Sequence, residues 1–195
     1  MTRRIVFVLM AFVVLAGSGL VLARPAPAPE TGPAIQAAGN PTLVLDTAKG
    51  VIEIELFQGD APKSVAYIID LVEKNFYRGL RFHRVERSLV QIGDAASRDV
   101  SKKEWWGRSV HTPTIGVGEI SKKLLHVRGT VGLAYAAGGT PAGANSQFYI
   151  MKEVSPNLNG KYTIIGRVRV GMPTVDTLEV GDVLKQATIK AAVPK

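Results

Sequence analysis

Three histidines, His83, His111 and His126, are the side chains of this 195-residue chain best placed to carry a proton near neutral pH. None belongs to an HExxH-type pair, so no dedicated metal site is expected. Cysteine is absent, which excludes thiolate nucleophiles, disulfides, iron–sulfur clusters and cysteine-held zinc. No two carboxylates sit in a context that suggests hydrolysis. Of the cations, Lys102-Lys103 and Lys122-Lys123 are short doublets whose expected role is solubility. Trp105-Trp106 beside the first doublet could touch a membrane interface, but packing over one end of the fold is the favoured reading. Arg128 and His126 read as a surface charge and a turn residue, and Glu86 as a partner for Arg87.

The elements that must position any site come from one domain. Apolar residues make up 46% and charged residues 21%, which excludes a wholly disordered chain. Eleven prolines and twenty glycines show no triplet period, so a collagen helix is excluded too. The net charge of +8 lacks any run of five basic residues. A nucleic-acid partner, which needs a basic stripe with interleaved aromatics, is therefore not expected.

The first 23 residues do not read as fold. Arg3 and Arg4 precede an uncharged stretch from Ile5 to Ala23, the pattern of a secretory signal, with a cut expected after Ala23. An uncleaved anchor is the alternative, since nineteen uncharged residues are just long enough to span a bilayer. Gly17, Ser18 and Gly19 interrupt the run and favour cleavage. Either way the remainder is expected to be exported, to a periplasm or cell surface, with membrane contact only through an uncleaved leader. Residues 24–40 hold four prolines and five alanines and read as an extended linker, with a reach of about 50 Å at about 3 Å per residue. The folded domain is expected over residues 41–195, as a monomer.

Within it, Thr42–Thr47 and Val51–Phe57 read as a hairpin, with Ile52, Ile54 and Leu56 alternating against Glu53 and Glu55. A helix over 61–76, capped by Asp60 and opened by Pro62, follows from Val65, Ile68, Ile69, Val72 and Phe76. Short strand-like runs come next: Leu80–Val85, Leu89–Ile92, Thr130–Tyr135, Gln147–Met151, Tyr162–Val170 and Val183–Ile189, with a further helical turn at 172–179. Many short strands with few helices read as a closed barrel or a sandwich.

Phe82-His83-Arg84-Val85 followed by Gln91-Ile92-Gly93-Asp94 resembles the cyclophilin motif FHRxxxGFxxQGGD. Gly129-Thr130-Val131-Gly132-Leu133-Ala134 resembles the family's GTxxMA strand, and Asn145-Ser146-Gln147-Phe148-Tyr149-Ile150 its GSQFFI strand. Asn157-Leu158-Asn159-Gly160-Lys161-Tyr162 is similar to WLDGKH, and Ile165-Gly166-Arg167-Val168 to FGxV. The resemblance implies a mainly β fold, a closed eight-stranded antiparallel barrel capped by two helices. It also implies peptidyl-prolyl cis–trans isomerase activity on proline-containing polypeptides, with no cofactor and no metal. A non-catalytic peptide-binding chaperone on the same fold is the alternative.

An X–Pro bond rotates over a barrier of about 18–20 kcal/mol set by amide resonance, and a catalyst must bind the twisted amide better than either planar form. The resemblance assigns this to Arg84, whose guanidinium can donate to the proline nitrogen, with Gln91 beside it. Substrate contacts implied in the same way are Phe82, His83, Leu89, Ala134, Tyr135, Gln147, Tyr149, Asn157, Leu158 and Tyr162. Period two puts Gln147 and Tyr149 on one face of their strand, and Phe148 and Ile150 on the other. His83 reads as a structural partner rather than an acid or base.

Departures from the pattern thin the apolar wall. The span from Arg84 to Gln91 is one residue short, so the family's pocket phenylalanine falls on Ser88 or Leu89. Ile92 replaces the first glycine of QGGD, Asn157 the tryptophan of WLDGKH, Tyr162 its histidine, and Tyr149 a phenylalanine. Weak or selective activity and poor cyclosporin binding are the expectations.

Overall fold

A computed structural model of the chain describes residues 39–108 and 112–192. The expected leader at 1–23 and nearly all of the linker at 24–40 lie outside the described residues. Among the described residues, eight strands form one antiparallel sheet: β1 (Thr42–Thr47), β2 (Gly50–Leu56), β3 (Arg84–Val85), β4 (Leu89–Ile92), β5 (Thr130–Leu133), β6 (Phe148–Met151), β7 (Ile164–Val170) and β8 (Leu184–Lys190). Their order across the sheet is β3-β4-β6-β5-β7-β2-β1-β8.

The sheet is curled into a half-barrel, and its outermost strands do not share a ladder, which corrects the closed barrel expected from sequence. β3 is only two residues long, too short to pair along β8. The chain ahead of it meets the start of β8 instead, through a single bridge between Arg81 and Val183. Hydrogen bonds from Phe82 N to Asp182 O (3.0 Å) and Leu184 N to Leu80 O (2.8 Å) flank that bridge.

Alternation sets the interior. In the β1–β2 pair, Leu43 faces Ile54 and Leu45 faces Ile52, and all four are fully buried. Fully burying such a side chain contributes roughly 1.5–3 kcal/mol. Helix α1 (Pro62–Glu73) adds Val65, Ile68, Leu71 and Val72 to the same core. Asp60 does not cap it. Glu119, from a loop far along the chain, accepts from the backbone N–H groups of Lys63 (3.1 Å) and Ser64 (2.8 Å). Desolvation pushes the pKa of the Glu119 carboxyl up, but the Ser64 side chain, the two backbone N–H groups and the Lys63 charge together outweigh it and hold the carboxyl below its usual value. The helix stops three residues short of the expected end because Asn75 takes a left-handed φ of 55°. The second helix, α2 (Met172–Thr177), is short.

The stretch at 95–128 contributes 3-10 turns at Ala95–Arg98 and Val100–Trp105, with irregular chain over 112–128. Asp94, only 1% exposed, opens the first of these, its side chain accepting from Ala96 N at 2.9 Å. Its other carboxylate oxygen accepts from Gly107 N and ties that loop back to the end of β4. Gly93 must be glycine: its φ is 112°, and a Cβ there would collide with the carbonyl oxygen of Ser146.

Candidate active site

The outer face of β4, β5 and β6 carries a second, smaller apolar cluster, separate from the interior. Leu89, Tyr149 and Met151 form its buried part, with Ala134, Leu158 and Tyr162 packed against them. Strand pairing puts Leu89 opposite Met151 and Gln91 opposite Tyr149. The same alternation sends Phe148 and Ile150 inward, both 0% exposed. Leu89, rather than Ser88, therefore joins this wall, which settles where the shortened segment after Arg84 is absorbed.

A polar row runs beside the cluster. Arg84 on β3 lies directly across from Gln91 on β4. Its Nη1 donates to Gln91 Oε1 at 3.3 Å, and its Nε donates to Glu86 Oε1 at 2.7 Å. Glu86 thus pairs with Arg84, while Arg87 pairs with Glu153 at 2.9 Å, reversing the expected partnership. Gln91 Nε2 donates to Gln147 Oε1 at 2.9 Å. Gln91 and Gln147 are each 8% exposed, whereas the Arg84 side chain is about half exposed at 49%. The guanidinium is thus held by Glu86 and by the buried Gln91 amide, which Gln147 braces, and still reaches solvent.

Cluster and row face one cleft of about 630 Å³. Of the residues expected from sequence, His83, Arg84, Leu89, Gln91, Ala134, Tyr135, Tyr149, Leu158 and Tyr162 line it. Gln147 lines an adjoining hollow of about 330 Å³ that shares Gln91, Ala134 and Tyr135. Two expected residues are elsewhere. Phe82 is fully buried in the interior, because alternation turns it inward. Asn157 is exposed and points away, since neighbours on its 3-10 turn, Pro156–Leu158, diverge by about a third of a turn.

Both ring nitrogens of His83 are shut away from solvent, and burial lowers its pKa to about 4. Asp94 and Gln147 pull that value up, and Arg84 pushes it down. The ring is neutral at pH 7, which suits a wall and not a proton donor.

Sequence patterns missed Trp106, Gly107 and Arg108, which form the far rim of the cleft. Trp106 is partly buried, its indole N–H donating to Asp99 O at 3.0 Å, while Trp105 is 56% exposed. No local pattern marks one tryptophan of a pair for the cleft. The Asp94 anchor of this loop is visible in the motif, but its target is not. His126, expected in a turn, is buried at the foot of the cleft against Tyr149. Among the described residues, no group of three or more His, Cys, Asp or Glu could hold a metal ion.

The curled antiparallel sheet thus carries, on its outer wall, an open apolar trough with the half-exposed Arg84 beside it. Residues 42–194 match the profile of the cyclophilin-type peptidyl-prolyl cis–trans isomerases. A probable peptidyl-prolyl cis–trans isomerase of Brucella suis is 36% identical over 159 residues, covering 76% of each chain. A peptidyl-prolyl cis–trans isomerase of Helicobacter pylori is 29% identical, over 76% of this chain and 86% of its own. Among solved structures, a cyclophilin-type isomerase of Cryptosporidium parvum, crystallised in the presence of the dipeptide Ala-Pro, superposes with a TM-score of 0.65. Its identity is 26%, over 77% of this chain and 99% of that one. The chain belongs to the cyclophilin-type peptidyl-prolyl cis–trans isomerases, and its activity is the rotation of X–Pro bonds in proline-containing polypeptides.

Proposed function

We propose that this isomerase works outside the cytoplasm, on exported polypeptides, with Arg84 as its catalytic residue. The observation that carries the site assignment is the Arg84–Gln91–Gln147 row alongside the Leu89–Tyr149–Leu158 wall. The proline ring sits against the wall, with His83, Ala134, Tyr135 and Tyr162 around it. Twisting the amide breaks its resonance and localises a lone pair on the proline nitrogen. The Arg84 guanidinium, permanently charged and planar, donates to that lone pair and to a neighbouring backbone acceptor. Gln91 orients the guanidinium, and Gln147 orients Gln91. Because the lone pair exists only in the twisted form, this stabilisation lowers the barrier without tightening ground-state binding. No bond to the substrate forms or breaks.

Export rests on Arg3-Arg4, the uncharged run and the Val21-Leu22-Ala23 triplet. Cleavage there takes the net charge from +8 to +6. Intact-mass measurement of exported protein should give an amino terminus near Arg24; a membrane-bound mass including residues 1–23 would establish an anchor instead.

Arg84→Ala should lower kcat about a hundredfold, more than it weakens peptide binding, a loss of about 3 kcal/mol typical of a pre-organised charged donor. Arg84→Lys should recover little, because an ammonium cannot span both acceptors. NMR exchange kinetics on an Ala-Pro peptide, with circular dichroism as folding control, measures both. Wild-type turnover in folded Arg84→Ala would move catalysis to another group.

A further inference from the structure

The foot of the cleft holds a polar chain that the chemistry of Arg84 does not use. His126 is 1% exposed. Its backbone N–H donates to Asn159 Oδ1 at 2.8 Å, and its Nδ1 lies 3.1 Å from that same oxygen. Its Nε2 lies 2.9 Å from the Tyr149 hydroxyl. The two contacts to Asn159 fix the proton on Nδ1. An atom that accepts a backbone N–H is an oxygen, so Asn159 presents its carbonyl there and not its amide nitrogen. That oxygen only accepts, so Nδ1 must carry the proton. Burial lowers the His126 pKa, with Asn159 pulling the other way, and favours a neutral ring. Nε2 is then a bare lone pair, and the Tyr149 hydroxyl donates to it.

The surroundings decide where that hydroxyl points. The Tyr149 ring lies over Gly132, and a Cβ at that position would collide with the hydroxyl. Tyr149 lines the cleft, but Gly132, His126 and Asn159 do not. The ring faces the trough, and the hydroxyl is turned away from it into a polar socket. Tyr162 packs edge-on against both rings, at 5.8 Å from Tyr149 and 6.3 Å from His126. Desolvation and Tyr162 both raise the Tyr149 pKa, so it stays a neutral donor.

We propose that His126 is a positioning residue for peptide binding, holding the Tyr149 hydroxyl away from the cleft so that the bound proline meets only an aromatic ring. Tyrosine thereby serves in a wall where its hydroxyl would otherwise have to be desolvated. Gly132 provides the space, Asn159 sets the tautomer, and His126 Nε2 accepts the hydrogen bond of the Tyr149 hydroxyl. This rests on the reading of Tyr149 as part of the proline-binding wall.

The wild-type enzyme supplies the first test. The nitrogen-15 shifts of the His126 ring should show Nδ1 protonated and Nε2 bare, and the opposite tautomer overturns the proposal. The second test is a double-mutant cycle on an Ala-Pro peptide. His126→Leu leaves a buried hydroxyl without its acceptor and should raise KM about tenfold with a much smaller change in kcat. In the Tyr149→Phe background the same substitution should change KM less than about twofold, because no hydroxyl is left to orphan. Equal KM changes in both backgrounds, with Arg84→Ala still crippling turnover, overturn the positioning role and leave the site reading standing. If saturating peptide fails to shift the Tyr149 ring signals of wild-type enzyme, the wall reading falls, and the positioning role with it. The tautomer measurement needs no variant, so poor folding of His126→Leu leaves the proposal open to refutation.

Discussion

The inner face of the curled sheet and the cleft on its outer wall are made by the same strands and obey different rules. Inside, Phe148, Ile150, Val90 and Ile92 belong to one largely aliphatic and aromatic cluster with residues of β1, β2 and α1, and the buried Tyr77 hydroxyl donates to Ser146 O at 2.9 Å. Outside, one residue along each strand, Leu89, Gln91 and Tyr149 face a trough that is half wall and half hydrogen-bonded row. The interior is held by burial and tolerates little change in volume. The cleft buries only three apolar residues and depends on donors and acceptors being matched. Stability and turnover should therefore respond to different residues, even adjacent ones.

Phe148→Ala should break the inner face most severely. Emptying a fully buried aromatic costs about 3–5 kcal/mol, seen as a large fall in melting temperature. Active-site shape in whatever fraction remains folded should be little altered, so kcat per folded molecule should stay near wild type. A stability loss below about 1 kcal/mol would contradict the packing described for that face.

Acid should strain the boundary between the two regions, where His83 sits. Its folded pKa of about 4 lies below the unfolded value of about 6.5. Between those values the unfolded chain takes up a proton that the folded chain refuses. The contribution is fully present above pH 6.5 and is lost as pH falls through about 4, by at most about 3 kcal/mol. Denaturant melts at pH 7.5 and pH 4.5 should show a steeper decline for wild type than for His83→Phe. Parallel declines would assign the acid sensitivity to other groups.

Glu86→Gln should have the smallest effect. The Arg84–Glu86 pair is about half exposed on both sides, and such pairs contribute roughly 0–1 kcal/mol. Gln91 still holds the guanidinium, so turnover should move less than about threefold. A loss approaching that of Arg84→Ala would make Glu86, and not Gln91, the group that orients the arginine.

Alternation and motif spacing make much of this molecule legible in its sequence. The inward residues of β1 and β2, the outward turn of Gln147 and Tyr149, and the Arg84–Gln91 partnership follow from period two and from residues a few positions apart. Ile92, which departs from the family's glycine, is carried inward by the same alternation and is 1% exposed. Local pattern fails at Asp60, because the helix N-terminus is satisfied by Glu119 from a distant loop. It fails at Trp106 and Arg108 because the rim they form is placed by Asp94, thirteen residues before Gly107 and across a loop. It fails at His126 because nothing near it in sequence names Asn159 or Tyr149 as partners. The sequence by itself determined the inward and outward faces of β1, β2 and β6 and which cation stands in the outer row, though not the inward turn of Phe82, since these depend on the pleat of single strands and on short-range spacing. Tertiary structure alone decided how the sheet's edges meet, that Leu89 replaces a missing aromatic, and that a histidine and an asparagine hold the tyrosine. Those contacts join chain segments that only the curling of the sheet brings within reach.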